Sequence, residues 1–570
     1  MARSIAALLL LLILPLFLRL APISHGEGRN YVPDTHIVRS ALGMAQDKDL
    51  APPAGKYSNY PYFLPYLLLP VYAAEYALGK SSGEWSDPAG FAAAVATEPG
   101  RVHLPARVLV ALFGAASAWV AFRAARAMGL SAGAWVAAFL VATSLLQLQF
   151  SVQERPWVPV GFFMLCSAWA CALWMQSAHV RHLVLACIAA GLSFACHQSG
   201  LAVFALPGLA WLLGARASIA RRVGQGALAL GVGLLVALLA GHAYYLTHGA
   251  PERVILADKL ANSSGFDVGG VGVVFGLRTE SALRLSRALA GYDPLIMILG
   301  LCGLVAALRT RTMRPAVIFA LLWAGFFLFY ESDHVRYLLP LVLLLVFPAG
   351  LVTERWLATR TGLAVFALLA IVPLAQCLRF VHLLRQTDTR TLAEQRLEAE
   401  ASPSTIAIDR YGPDPALSYQ ALTRLSTLRN SLVPPEGLRP REERRKRRFE
   451  RRELPAGSGV DGIAVGELFE IDERAHTIVV RKGLESLGGD APAVLRAVGA
   501  GQLLHVRRRL RAEDYDAFAT LARSAQVVWT IDPRPDGVGD EALLPGEMEF
   551  PLTALWQVER PGPVLQLIRY

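Results

Sequence analysis

Charge is scarce in this 570-residue chain: 18% of its residues are Asp, Glu, Lys or Arg, against 54% hydrophobic, and its mean hydropathy is +0.41. That excludes an ordinary soluble globular composition. Cysteine is scarcer still. All six cysteines (Cys166, Cys171, Cys187, Cys196, Cys302 and Cys377) fall in apolar runs and none in the polar C-terminal part, so no disulfide framework is encoded and they read as small hydrophobes. The chain also lacks HExxH, a Walker glycine loop, GxGxxG ahead of a helix, and CxxC. No metal, cofactor or nucleotide motif is therefore present. The net charge of +10 is mostly arginine between apolar runs and in one C-terminal cluster, which is not the footprint of a nucleic-acid binder.

What is abundant is the long apolar run. Segments of roughly 17 to 25 residues, enough to cross a bilayer as helix, recur at 4–22, 104–122, 131–149, 157–175, 182–197, 200–214, 225–245, 289–307, 315–330, 336–352 and 362–381. The expectation is a polytopic α-helical membrane protein with about eleven transmembrane helices. The first run follows Arg3, is long and lacks a clean small-x-small site, so it reads as a retained signal-anchor helix rather than a cleaved signal peptide. Arginines gather in alternate connections (Arg123 and Arg126, Arg181, Arg216, Arg221 and Arg222, Arg309, Arg311 and Arg314, Arg355 and Arg360). By the positive-inside rule those turns and the N-terminus are cytoplasmic.

The opposite connections then face outward, including the segment 24–103 and everything after residue 381. Within the first of these, "YPYFLPYLLLPVYAAEYALG" is apolar but rimmed with tyrosines and broken by prolines, and reads as an interfacial helix rather than a further span. The division expected is a transmembrane domain over 1–384 and an extracytoplasmic domain over 385–570. The latter mixes β-like runs ("STIAID", "AQVVWTID", "VLQLIRY") with the helical "AEDYDAFATLARSA", which predicts a small α/β fold. Its charge block "REERRKRRFERRE" reads as a solvated helix or loop ahead of an anionic-lipid site.

Ionisable groups near lipid are costly and mark cavities that do chemistry. Here Asp34 and His36, Glu154 and Arg155, His197, and Asp333, His334 and Arg336 all fall at predicted outer ends of spans. Each alone reads as an interfacial anchor or a cap. Together, carboxylates and cations on one face suit transfer chemistry on a lipid phosphate: a base for an acceptor hydroxyl, and positive charge for the departing phosphate.

The order of motifs resembles the GT-C membrane glycosyltransferases, specifically glycosyltransferase family 39, the bacterial relatives of protein O-mannosyltransferases and of the lipid A aminoarabinose transferase. It runs over about residues 4–415 through "VPDTHIVRSALGM", "YPYFLPYLLLP", Arg107 in "LPARVLVALFG", "QFSVQERPWVPVGFFML", "GLSFACHQSGLAVFALP", "HVRYLLPLVLLLVFPAG" and "QTDTRTLAEQRLEA". The resemblance implies a GT-C fold in the bacterial cytoplasmic membrane and transfer, with inversion, from a polyprenyl-phosphate sugar to a protein, lipid or glycan acceptor at the outer face. It implies Asp34 as the catalytic carboxylate, and Arg336, Arg155 and His197 as holders of the lipid-linked phosphate, arginine suiting its oxygens by its planar fork. Tyr57, Tyr60 and Tyr337 become pocket walls, and His36, Arg107, Glu154, Asp333 and His334 further pocket residues. Two departures stand out. Thr35 follows Asp34 where relatives often carry Glu, and Glu154-Arg155-Pro156-Trp157 stands where they often carry an aspartate. No metal is expected. The alternatives are a transporter or flippase of lipid-linked glycans and a catalytically degenerate GT-C subunit. A transporter predicts inverted repeats and charge through the bilayer midplane.

Overall fold

The structure, a computed structural model, describes residues 9–570 apart from 29–30, 32–35, 54–55, 58–59, 215–218, 249–264, 269–270, 275–278, 328–334, 401–404, 416, 419, 422, 425–426, 428–458, 473–476, 481–489, 508–517 and 540–548. Asp34, Asp333, His334 and the charge block therefore lie outside the described residues.

Among the described residues each predicted apolar run is mainly helical. Among the same residues five helices are long and apolar enough to cross a membrane: Gly100–Ala127, Trp157–Ser177, Ala220–Gly241, Val335–Trp356 and one beginning at Arg360. The run at 131–149 is a bent pair, Ala132–Ala142 and Leu145–Ser151, at 50°. Leu10–Leu20, Val180–Cys196, Gln198–Leu213, Pro294–Arg309 and Arg314–Phe326 are apolar but shorter. The tyrosine-rich stretch forms the helix Phe63–Ser82, whose tyrosines, Glu75, Lys80 and internal Pro70 keep it out of that apolar class.

The chain divides into two units, the first comprising Met1–Ile23, Asp34–Ala74 and Val102–Val381. In it Leu339–Trp356 packs on Pro294–Arg309 and on Ala132–Ala142, and Val180–Cys196 packs on Ile219–Gly241 and Trp157–Ser177. Small residues set these crossings. A Cβ on Gly133 would stand 2.1 Å from the carbonyl oxygen of Gly350, and one on Gly303 2.1 Å from that of Pro348. Close backbone approach is how apolar helices gain packing where lipid supplies no hydrophobic drive.

The second unit comprises Ser24–Pro33, Glu75–Arg101 and His382–Tyr570. Its five-stranded sheet runs Gly462–Ala464, Thr405–Ile408, Ala500–Arg507, Val564–Arg569, Gln526–Ile531. The first three strands are parallel and the last two antiparallel to their neighbours. Three of these strands fall on the predicted β-like runs. One buried cluster includes Leu468, Val494, Leu495 and Leu503, and another Leu397, Ile406, Leu504 and Trp529, so both faces of the sheet are covered. At the unit's entry Arg390 forms a buried ion pair with Asp388 at 2.8 Å. The same guanidinium donates to the Tyr31 carbonyl at 3.2 Å and lies 4.2 Å from the Tyr31 ring centroid.

Candidate active site

The loop Val152–Pro156 joins the helix Leu145–Ser151 to Trp157–Ser177, and the side chains on either side of its end enter two adjoining clusters of the first unit.

In one, His103 and Arg107 stand one turn apart on the helix Gly100–Ala127, so they share a face. Between them sits the buried Glu154 carboxylate, one oxygen 2.8 Å from His103 Nδ1 and the other 3.0 Å from Arg107 Nε. Arg107 also donates to the Ile23 carbonyl at 3.2 Å. Burial works to raise the Glu154 pKa, but Arg107 and His103 together hold it down to about 2. Glu154 therefore stays ionised with both oxygens committed. It is an anchor for its loop and not a proton acceptor.

The other cluster is aromatic and cationic. The His36 ring meets Tyr60 at 4.7 Å, Tyr60 meets His197 at 4.8 Å, and His197 meets Trp157 at 4.2 Å. Trp157 meets Tyr337 at 5.3 Å, and the Arg336 guanidinium lies 5.2 Å from the Trp157 centroid and 5.6 Å from that of Tyr337. These six residues come from five separate stretches of chain. His36 opens the helix His36–Asp47, Trp157 opens its helix behind Pro156, and Arg336 and Tyr337 lie in the 3-10 turn Val335–Leu338.

His197 breaks an otherwise apolar pair with an extended backbone, φ −161° and ψ 149°. Its Nδ1 accepts the Ser199 backbone N–H at 3.0 Å, which leaves the proton of the neutral ring on Nε2. Burial first, then Arg336 and His36, push the His197 pKa down to about 3. His197 is thus a neutral hydrogen-bond donor at neutral pH. As one of the expected phosphate holders it would therefore act through its N–H and not through positive charge, because burial beside Arg336 disfavours a second cation there. Trp157 is buried, and its Nε1–H has no hydrogen-bond partner among the described residues, which is a cost unless a ligand oxygen meets it.

Arg155 is buried and stands between Glu154 and Trp157 in the chain. Tyr57 is not brought to the cluster. It packs with Met44, Tyr62 and Tyr244, and its hydroxyl donates to Asp47, itself 2.9 Å from Lys56 Nζ. Among the described residues no three His, Cys, Asp or Glu side chains gather as a metal ion would need.

Sequence reasoning missed His103, although its i, i+4 spacing from Arg107 was available. It also missed Arg19 and Asp293, which are buried at the break between Ala132–Ala142 and Leu145–Ser151.

No protein-family profile matches the chain, and no curated protein does. Among solved structures it is similar to ArnT from Cupriavidus metallidurans in the apo state, with 16% identity, TM-score 0.47, and 70% of this chain and 69% of that one covered. It is similar also to ArnT bound to undecaprenyl phosphate, with 18% identity, TM-score 0.43, and 69% and 68% covered. A third is the archaeal oligosaccharyltransferase AglB from Archaeoglobus fulgidus in complex with an inhibitory peptide and a dolichol-phosphate, with 12% identity, TM-score 0.42, and 88% and 69% covered.

Proposed function

We propose that this chain is a multi-pass GT-C glycosyltransferase that moves a sugar from a polyprenyl-phosphate donor to an acceptor at the outer face of the cytoplasmic membrane. The observation that supports it most is the lining of the aromatic cluster. It presents a fixed cation on Arg336, a neutral donor on His197 and an orphaned indole N–H on Trp157. Hydrogen-bond donors suit the oxygens of a phosphate or a sugar, and aromatic faces suit a sugar ring.

The reaction needs one further group, a carboxylate. Asp34, two residues before His36 in the chain, fills that role in this reading. Its oxygen takes the proton of the acceptor hydroxyl or amine as the acceptor atom bonds to the anomeric carbon. The bond from that carbon to the phosphate oxygen breaks on the opposite face, and the lipid phosphate leaves with the electron pair. Inversion follows from that single displacement. Arg336 and the two neutral donors stabilise the leaving phosphate, and Glu154 holds the loop that carries Trp157.

A discontinuous membrane helix is also a mark of transporters. Here its inner ends are filled by the chain's own Arg19 and Asp293, and the polar groups gather at the turns instead. Purified full-length protein incubated with a radiolabelled polyprenyl-phosphate sugar tests the proposal. Release or transfer of sugar supports it, whereas movement of intact lipid without release points to a transporter.

A further inference from the structure

From Ala132 to Ser151 the chain reads AGAWVAAFLVATSLLQLQFS, without proline or charge. Twenty such residues form a straight helix of roughly 30 Å, a full hydrocarbon crossing. Instead the helix breaks by 50° at Thr143 and Ser144. Sharp kinks need a cause: Ser144 caps the second half locally, its hydroxyl oxygen accepting from the Gln147 N–H at 3.2 Å, and groups distant in sequence satisfy the rest of the break.

On one side of the break, Arg19 donates to the carbonyls of Ala142 at 3.2 Å and Val141 at 3.4 Å, and the Cys377 thiol to that of Thr143 at 3.2 Å. On the other, Asp293 accepts from the backbone N–H of Leu145 at 2.9 Å and of Leu146 at 3.3 Å, and from the Ser144 hydroxyl at 2.8 Å. Each inner end thus meets the charge its dipole favours. Gln147 then accepts from Arg19 and donates to the Gly114 carbonyl at 3.3 Å. That registers the outer half against the helix that carries His103 and Arg107.

Two charges buried among apolar helices cost several kcal/mol, and an unbroken helix would need neither. We infer that Arg19 and Asp293 are positioning residues that hold this break open, and so aim Leu145–Ser151 and its loop to bring Glu154 onto Arg107 and Trp157 onto His197 and Arg336. Its activity arm rests on the transferase reading; its structural arm does not.

The test is the pair Arg19→Met with Asp293→Leu, which removes both charges together and lets the helix reseal. Gln153, buried in this loop, is replaced by cysteine in a Cys302→Ala background, and its rate of labelling by a membrane-impermeant maleimide is measured beside sugar release. The expected results are labelling at least tenfold faster and a fall in kcat of at least 100-fold at a donor KM within threefold of the parent. Asp293→Asn, whose carbonyl oxygen still accepts from a backbone N–H, should recover part of both. Unchanged labelling in a folded variant overturns the inference, as does transfer within threefold of an active parent. A parent that turns over no lipid-linked sugar while the paired variant labels faster sinks the transferase reading and leaves the positioning role standing. Should the pair not fold, the same two readouts on Asp293→Asn decide.

Discussion

The Arg336 guanidinium lies 5.2 Å from the centroid of the Trp157 ring, a cation set over an aromatic wall of the cluster. Lysine keeps the charge but loses the planar fork and the stacking. Arg336→Ala should raise the donor KM and lower transfer at least 100-fold, with Arg336→Lys recovering a tenth or less. Trp157→Phe keeps the ring and removes the orphaned N–H, and should cost about tenfold, in line with one lost hydrogen bond. Steady-state kinetics with a radiolabelled donor read all three.

Glu154 is the counter-charge of a buried arginine. Glu154→Ala strands Arg107, and should destabilise the protein by about 3–5 kcal/mol. Arg107→Met combined with Glu154→Leu removes both charges and should be milder than either single change. Thermal unfolding midpoints in one detergent compare them, and a double variant as unstable as the sum of the singles would contradict the ion-pair account.

His197 sets a pH window. Its folded pKa of about 3 lies below the ordinary histidine value of 6.5, so the unfolded chain takes up a proton that the folded chain refuses. The stabilisation is complete above pH 6.5 and is lost as pH falls toward 3, amounting to about 2 kcal/mol by pH 5. The gap between the thermal midpoints at pH 7.5 and 5 should narrow in His197→Asn. Glu154, held at about 2, contributes above its ordinary value of 4.5 and fades only below that, so it leaves the pH 5–7.5 comparison untouched.

Gly133 and Gly350 hold two helices at backbone contact. Gly133→Ala must push Leu339–Trp356 away or shift its carbonyl, at about 1–3 kcal/mol. Gly231 lies in an apolar helix with nothing within 4 Å of an added Cβ, so Gly231→Ala serves as the control for the gain in helix propensity alone. Equal midpoints for the two alanine variants would show that the crossing is not tight.

The helices were legible because bilayer length and apolar composition leave little else to form, and the β-like runs because short β-branched stretches stand out in a polar region. The site was legible in part. His36, Tyr60, His197, Arg336 and Tyr337 are read from separate turns, and the fold brings them together with Trp157. His103 escaped because a histidine in the first turn of an apolar helix looks like a headgroup anchor. Asp293 escaped for a sharper reason. It stands at the N-cap position of its own helix, makes no side-chain bond there, and caps a helix about 150 residues earlier in the chain. Burial, which only packing reveals, makes His197 a neutral donor at neutral pH.

The most direct measurement is release of sugar from a radiolabelled polyprenyl-phosphate donor by the purified full-length protein, its Arg336→Ala variant and its Asp34→Asn variant, each confirmed folded. The account predicts turnover by the parent, and rates at least 100-fold lower for both variants. A folded parent that releases no more sugar than empty vesicles, or an Asp34→Asn variant that transfers at the parent's rate, would contradict it.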